Sequence, residues 1–309
     1  MTINQLRYAV TIADTGSMNK ASEVLYVAQP SLTGSIKELE KELGITIFYR
    51  GGRGVSLTGD GMEFITYAKS ILQQCDDVLD RYGKSVTLKK KFGISTQHYS
   101  FADKAFVELV KHFGMDEYEF AIRETKTREV IDDVSKMKSE IGILYMSDFN
   151  RSVISKLLKT NNLSFTKLVD CHAYVYIWKN NPLAKSTSLS IKDLADYPCL
   201  SFELGDGSSF YFAEEILSTN EYPRVIKTND RATMLNLMVG LNGYTLCSGI
   251  ICEELNGSDY IAVPFRDDEE HHNSVMEIGY IVKKDMKPSR LCQEYIQEIQ
   301  TYLKNQNVK

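Results

Sequence analysis

The sequence predicts an α/β protein with a winged helix-turn-helix at its N-terminus. Three observations predict it: short capped helices followed by a glycine-rich hairpin in residues 1–58, one long amphipathic helix over 59–88, and alternating strand-like and helical segments over 89–309. A chain of 309 residues is too long for a single ordinary core, so two or three folding units are expected.

The composition is that of a globular protein, with 43% hydrophobic and 25% charged residues. It contains no run of about eighteen apolar residues, and its first residues lack the apolar stretch of a signal peptide, so we expect a cytoplasmic protein without a membrane span. Residues 1–91 contain 12 basic and 10 acidic residues, a net charge of +2, and the remainder contains 24 and 31, a net charge of −7, which together give −5. The mildly basic N-terminal part permits contact with nucleic acid.

Three helices are predicted first in the chain. Gly16 suits the end of the first helix, Ser17 caps the second, Pro30 fits the first turn of the third, and Gly44 ends it. Their apolar residues recur at helical spacing: Leu6, Val10 and Ala13, then Ala21, Val24 and Leu25, then Leu32, Ile36, Leu39 and Leu43. Small polar residues begin the third helix, which is typical of a recognition helix that enters the major groove N-terminus first.

A hairpin and a long helix follow. Residues 45–48 and 55–57 are strand-like, and the glycine-rich turn between them carries Arg50 and Arg53, which have the reach and charge for phosphates or the minor groove. Thr58 can cap the long helix, whose apolar stripe runs from Phe64 to Tyr82. This stripe has no evident core of its own, so we expect it to pack against a second copy in a homodimer or homotetramer.

One set of residues in the N-terminal part forms a recognisable pattern: Ala21, Ser22, Glu23, Val24, Leu25, Tyr26, Val27, Ala28, Gln29, Pro30, Ser31, Leu32 and Thr33, then Ile36, Lys37, Glu38, Leu39 and Glu40, then Leu43, Gly44, Phe48, Arg50, Leu57, Thr58 and Gly61. With this pattern, about the first 65 residues resemble the LysR-type transcriptional regulators. The resemblance implies double-stranded promoter DNA, a small-molecule effector and a second copy of the chain as partners, with RNA polymerase as a further candidate.

Carried over residue by residue, the resemblance assigns DNA contacts to Ser17, Gln29, Pro30, Ser31, Thr33, Gly34, Ser35, Lys37, Arg50 and Arg53. A glutamine can pair bidentately with adenine, and a proline ring can touch a thymine methyl group. Many relatives carry arginine or another long side chain where this chain has Gly34. That departure removes a base contact and costs the helix roughly 1 kcal/mol relative to alanine.

The C-terminal part has the rhythm of α/β units. Strand-like residues 92–94, 119–123 and 141–145 alternate with helical segments, a second set includes 172–177, 199–202 and 244–247, and the chain returns through 276–282 to a last helix. This order resembles the two-lobed, periplasmic-binding-protein-like effector domain of the same family. It predicts lobe I over about 92–162 and 267–309 and lobe II over about 163–266.

An effector site is expected between the lobes, where strand ends and helix N-termini converge. The strongest candidate is the loop of Ser95, Thr96, Gln97, His98, Tyr99 and Ser100, whose polar groups would face the cleft and suit an anion such as a carboxylate. Further candidates are Thr125, Tyr145, Ser201 and Glu203. The Thr-Gln pair is similar to that of the branch regulating sulfur and amino-acid metabolism, so the expected effector is a carboxylate or an amino-acid or sulfur metabolite.

The sequence offers two alternatives to a ligand-sensing regulator. A cysteine-based redox sensor of the same fold would use Cys247 and Cys252, the only close pair among six cysteines, whereas Cys199 has no nearby partner. An enzyme is disfavoured because the sequence lacks G-x-S-x-G, P-loop, G-x-G-x-x-G and H-E-x-x-H motifs, and the adjacent Cys171 and His172 would point to opposite faces of a strand. No cofactor and no metal are expected, since no zinc-ligand spacing occurs.

Overall fold

The computed structural model describes residues 1–51, 54–82, 90–113, 117–205, 209–266 and 275–306, without the side chains at 50, 77 and 80–82. The chain divides into two compact units, Met1–Thr87 and Leu88–Lys309. This division falls one residue before the 88/89 boundary that the sequence predicts.

In its described part, the first unit is a helical head with a hairpin wing. Its elements are α1 Ile3–Thr15, α2 Met18–Leu25, α3 Gln29–Leu43, β1 Phe48–Gly51, β2 Gly54–Leu57 and α4 Gly59–Tyr82. Gly16 and Gly44 end α1 and α3 in the left-handed conformation, and the Ser17 hydroxyl caps α2 by accepting from the Lys20 amide. The wing strand begins at Phe48, so the strand predicted from residue 45 starts three residues too early.

The head core explains how α4 begins. Leu32, Ile36 and Leu39 of α3 are buried against the other helices, and Ile65 of α4 joins the same cluster. The sequence-based expectation that the apolar stripe of α4 has no core of its own is therefore wrong for its first turns. The helix starts where the Thr58 hydroxyl accepts from the Gly61 amide at 2.8 Å.

The second unit contains two five-stranded sheets. The strands of the first are β3 Lys90–Thr96, β4 Tyr118–Glu124, β5 Ile141–Met146, β6 Leu163–His172 and β12 Val275–Lys283, in the order β4-β3-β5-β12-β6. Those of the second are β7 Tyr174–Trp178, β8 Cys199–Phe202, β9 Val225–Thr228, β10 Tyr244–Cys247 and β11 Tyr260–Pro264, in the order β11-β7-β10-β8-β9. Strands β3, β4 and β5 are parallel, and β12 runs antiparallel to both of its neighbours.

Helices cover both sheets. Along the described chain these are α5 Ser100–Lys111, α6 Thr127–Ser135, α7 Arg151–Thr160, α8 Arg231–Leu241, α9 Glu253–Asn256 and α10 Arg290–Asn305, with a 3₁₀ turn at Phe210–Phe212. None of the helices in the described residues has the length and apolarity that crossing a bilayer requires.

The lobes are joined where strands cross between the sheets. Strand β6 pairs with β12 over its whole length, and only Ala173 separates it from β7 of the second sheet. The predicted lobe boundary at 162/163 is therefore wrong, because hydrogen bonding keeps β6 in lobe I and moves the crossing to residue 173. The Phe265 amide donates to the Ala173 carbonyl at 3.1 Å, so the two crossing segments are bonded to each other.

Candidate nucleic-acid interface and ligand cleft

The first turn of α3 forms an exposed polar surface. Gln29, Pro30 and Ser31 are all exposed there, whereas Leu32 and Ile36, further along the helix, are fully buried. Pro30 occupies the first turn, and Ala28 gives the helix no side-chain cap. The first backbone N–H groups of α3 are thus left for an external acceptor, which is the arrangement that binds phosphates at helix N-termini.

The other predicted DNA contacts differ in their placement. Gly34 and Lys37 are exposed on α3, whereas Thr33 and Ser35 are half-buried. Ser17 uses its hydroxyl to cap α2. The side chain of Arg50 and the whole of Arg53 lie outside the described residues.

Glu40 sets the position of the wing, a role that sequence reasoning missed. Its Oε1 accepts from the Ile47 amide at 2.8 Å and from the Phe48 amide at 3.2 Å. The recognition helix is thereby bonded to the start of the hairpin. Only the fold reveals this role, because an acidic residue late in a helix is by pattern an ordinary solvated side chain.

Most of the predicted effector loop is structural. The Ser95 hydroxyl donates to Asp133 at 2.7 Å inside lobe I, and the Thr96 hydroxyl donates to the Gln97 carbonyl. Gln97 is fully buried, and its Oε1 accepts from the Tyr145 amide and the Tyr99 hydroxyl. The expectation that the side chains of the loop face the cleft is wrong for Ser95, Thr96, Gln97 and Tyr99, because groups within lobe I already satisfy their polar atoms.

The next two candidates are Ser100 and Ser201. The Ser100 hydroxyl is buried and accepts from the Cys252 amide at 3.0 Å, which ties α5 of lobe I to lobe II. Ser201 lies half-buried within β8.

A cavity of about 170 Å³ lies between the lobes. Three of the ten predicted effector residues line it: His98, Thr125 and Glu203. Sequence reasoning missed the remaining lining residues, which are Glu124, Lys126, Glu129, Phe202 and Asn229. Glu124 and Phe202 end β4 and β8, Lys126 and Asn229 follow β4 and β9, and Glu129 lies in the first turn of α6. The ends of parallel strands therefore meet here, as expected of ligand sites in α/β folds.

His98 is already engaged by a carboxylate of the protein. Glu214 Oε2 lies 3.0 Å from the His98 main-chain nitrogen and 2.8 Å from its Nδ1. The imidazole stacks on Phe202, with ring centroids 3.7 Å apart. The N–H group that the sequence assigns to an effector anion is therefore occupied from lobe II.

Ion pairs also join the lobes, and one of them includes Glu124, which lines this cavity. Arg231, at the start of α8, lies 2.9 Å from Asp103 of α5 and pairs with Glu124 of β4. Lys104 of α5 lies 2.6 Å from Glu254 of α9. Because each pair spans both lobes, opening the cleft would break them.

The thiols do not favour the redox hypothesis. All six cysteines are free, so Cys247 and Cys252 are not bonded. Burial raises the pKa of Cys171, Cys199 and Cys247 to about 12, which suppresses the reactive thiolate at neutral pH. Within the described residues, no group of three or more His, Cys, Asp or Glu side chains could hold a metal ion.

A winged helix-turn-helix head combined with a two-lobed α/β unit that encloses a cavity defines a ligand-responsive DNA-binding regulator. Residues 3–62 match the model of the bacterial regulatory helix-turn-helix protein, lysR family, and residues 101–304, more than half of the chain, match the LysR substrate binding domain. The chain belongs to the LysR family of transcriptional regulators, with a helix-turn-helix DNA-binding domain and an effector-binding domain.

Relatives extend this assignment over most of the chain. The uncharacterized regulator YvbU of Bacillus subtilis is 25% identical over 285 residues, 85% of this chain and 92% of its own. YcgK of the same organism is 47% identical over 79 residues, which span 26% of this chain and 24% of that relative. Full-length OxyR from Pseudomonas aeruginosa superimposes with a TM-score of 0.66 at 17% identity, covering 98% of this chain and 95% of that one, a likeness of fold alone.

Proposed function

We propose that a dimer or tetramer of this regulator binds a dyad-related promoter site and changes its arrangement on the DNA when a small effector occupies the cleft. The observation that carries the DNA-binding part is the exposed, uncapped first turn of α3, with Gln29 and Ser31 at its surface. Dyad-related half-sites follow from a two-fold protein, because each copy presents one recognition helix. We expect such a regulator to work in the cytoplasm and to have no catalytic role. Contact with RNA polymerase is a further prediction.

The contacts on α3 divide into base and backbone contacts. Gln29 and Pro30, at the entry of the helix, suit adenine and the thymine methyl group. Thr33, Ser35 and Lys37 suit phosphates, as do Arg50 and Arg53 in the wing. The effector must bind one arrangement of the assembly more tightly than the other, because equal affinity for both would leave the equilibrium between them unchanged.

Alanine substitutions on α3 test the reading head. We expect Gln29→Ala to lower affinity for the operator by about 1–3 kcal/mol and to relax base preference. Lys37→Ala should weaken binding to every duplex and reduce the slope of log K against log salt by about 1. The measurement is fluorescence anisotropy of promoter and random duplexes over a salt series.

Lys41→Ala is the matched control for Lys37→Ala. Lys41 is exposed on the same helix, about 18 Å along its axis from Gln29, in the last turn. Lys41→Ala should leave the slope of log K against log salt unchanged. Unaltered operator affinity in both Gln29→Ala and Lys37→Ala would refute the reading head.

The effector expected in the cleft is a small carboxylate or an amino-acid or sulfur metabolite. The support is the cavity between strand ends and, beside it, the two nitrogens of His98, which already hold a carboxylate, that of Glu214. The cavity of about 170 Å³ is partly open to solvent and has room for a small carboxylate. Thermal unfolding of the full chain in a panel of these compounds tests this, because a ligand that binds only the folded state raises its Tm.

A further inference from the structure

Residues 212–215 of lobe II form a strap that is bonded to lobe I. The Thr127 hydroxyl donates to the Phe212 carbonyl at 2.8 Å, and the Tyr145 hydroxyl donates to the Glu215 carbonyl at 3.3 Å. Glu214, between these two points, accepts from His98. The strap therefore contacts the ends of three elements of lobe I at once.

The central contact of the strap is the Glu214 carboxylate, which is bound at His98. One oxygen, Oε2 of Glu214, accepts from both the main-chain N–H and the ring Nδ1 of His98, and the two side chains are only 8% and 7% exposed. A carboxylate can only accept, so the proton lies on Nδ1. His98 directly precedes Tyr99, the N-cap of α5. A negative charge is favoured at the N-terminus of a helix.

The second oxygen of the Glu214 carboxylate is not bound in the same way. Oε1 of Glu214 is buried and has no hydrogen-bond partner among the described residues, and a buried polar atom without a partner costs free energy. The neighbouring Glu215 carboxyl is also buried, and burial together with the Glu214 charge raises its pKa to about 8. The internal carboxylate is therefore held less favourably than one with all of its acceptors satisfied.

We propose that Glu214 is an internal ligand of the effector site, which competes with a carboxylate-bearing effector for the two donors of His98. This inference rests on the function proposed above. The rest of the effector would lie in the adjoining cavity, which His98 and Phe202 also line. Displacement of Glu214 removes the central one of the three contacts between the strap and lobe I, so ligand binding is coupled to the contact between the lobes.

Acetate tests the competition directly, because it replaces the part of the Glu214 side chain that alanine removes. The full chain and Glu214→Ala are titrated with sodium acetate against sodium chloride of equal ionic strength, and binding is followed by Tm and by histidine ring NMR signals. We expect Glu214→Ala to bind acetate at least about tenfold more tightly than the unaltered chain, since the internal competitor has been removed.

Two further variants keep the test decisive. Glu214→Gln retains the shape of the side chain but loses its charge, so its acetate affinity should lie between those of the unaltered chain and Glu214→Ala. Glu221→Ala removes an exposed carboxylate of the same lobe that is not among the residues lining the cavity, and its acetate affinity should match that of the unaltered chain. Circular dichroism establishes that each variant is folded.

The outcomes separate the two proposals. Equal acetate affinity in all four proteins would overturn the internal-ligand inference and leave a carboxylate effector in place. Binding of acetate to none of them would overturn the inference and the carboxylate class together, while promoter binding through α3 would stand on its own measurement.

Discussion

At the scale of single residues, Glu215 shows how burial changes an acid. Its side chain is buried at the strap, and its Oε1 accepts from the Phe202 amide at 2.7 Å. Burial, and secondly the charge of Glu214, raise its pKa from 4.5 to about 8. The folded protein thus holds a proton on this group that the unfolded chain releases above pH 4.5 or so.

This proton makes stability depend on pH. Because the folded pKa is raised, the contribution of Glu215 is fully present below its unfolded pKa and is lost as pH rises toward 8. We expect Glu215→Gln to flatten the fall in unfolding free energy between pH 5 and 8, a fall of at most about 1.4 kcal/mol per pH unit. Urea denaturation followed by the fluorescence of Trp178, the only tryptophan, reports on lobe II.

Glu221→Gln provides the control, because Glu221 is exposed in the same lobe and the substitution removes the same charge. It should leave the pH slope as it is. A slope that stays unchanged in Glu215→Gln would contradict the raised pKa.

At the scale of elements, two glycines of the head occupy opposite environments. A Cβ at Gly34, inside α3, would meet no atom within 4 Å. A Cβ at Gly61, in the first turn of α4, would lie 2.1 Å from the Ile47 carbonyl oxygen. Gly61 is therefore required for the close approach of α4 to the chain before the wing, whereas Gly34 only weakens its helix.

Alanine at these positions should have opposite effects. Gly34→Ala should stabilise the head by about 1 kcal/mol through helix propensity. Gly61→Ala should destabilise it by about 1–3 kcal/mol, because backbone must move to relieve the clash. Amide hydrogen exchange of α1 and α3 measures both, since protection follows the local unfolding free energy. Changes of the same sign would show that these two environments are wrongly assigned.

At the scale of the whole molecule, α4 presents two faces. One packs on its own head, where Lys69 pairs with Asp14 and Arg7 pairs with Asp76. The opposite face carries Tyr67 and Val78, which are 59% and 57% exposed, with the half-buried Ile71 between them. Spacings of four and seven residues place these apolar side chains on one stripe, the pattern of a coiled-coil seam.

Self-association should depend on that stripe. We expect Val78→Glu to shift the protein toward monomer in sedimentation velocity, because the charge would be buried in the seam. Thr66→Glu adds the same charge about a third of a turn away and should leave the association state unchanged. If Val78→Glu remained oligomeric, the interface between copies would have to lie on another surface. The side chain of Tyr82, also predicted on this stripe, lies outside the described residues.

The sequence by itself determined the head and the family, because their signals are local. Caps, glycine stops and the first-turn proline act within a few residues, and the structure places α1 to α3 where Gly16, Ser17, Pro30 and Gly44 predict them. Only the tertiary structure decided the cleft. Glu214 follows His98 by 116 residues, and β6 joins lobe I through pairing with β12 more than a hundred residues later. No local pattern encodes which distant carboxylate will bind the two donors of His98, because the packing of the two lobes brings Glu214 and His98 together.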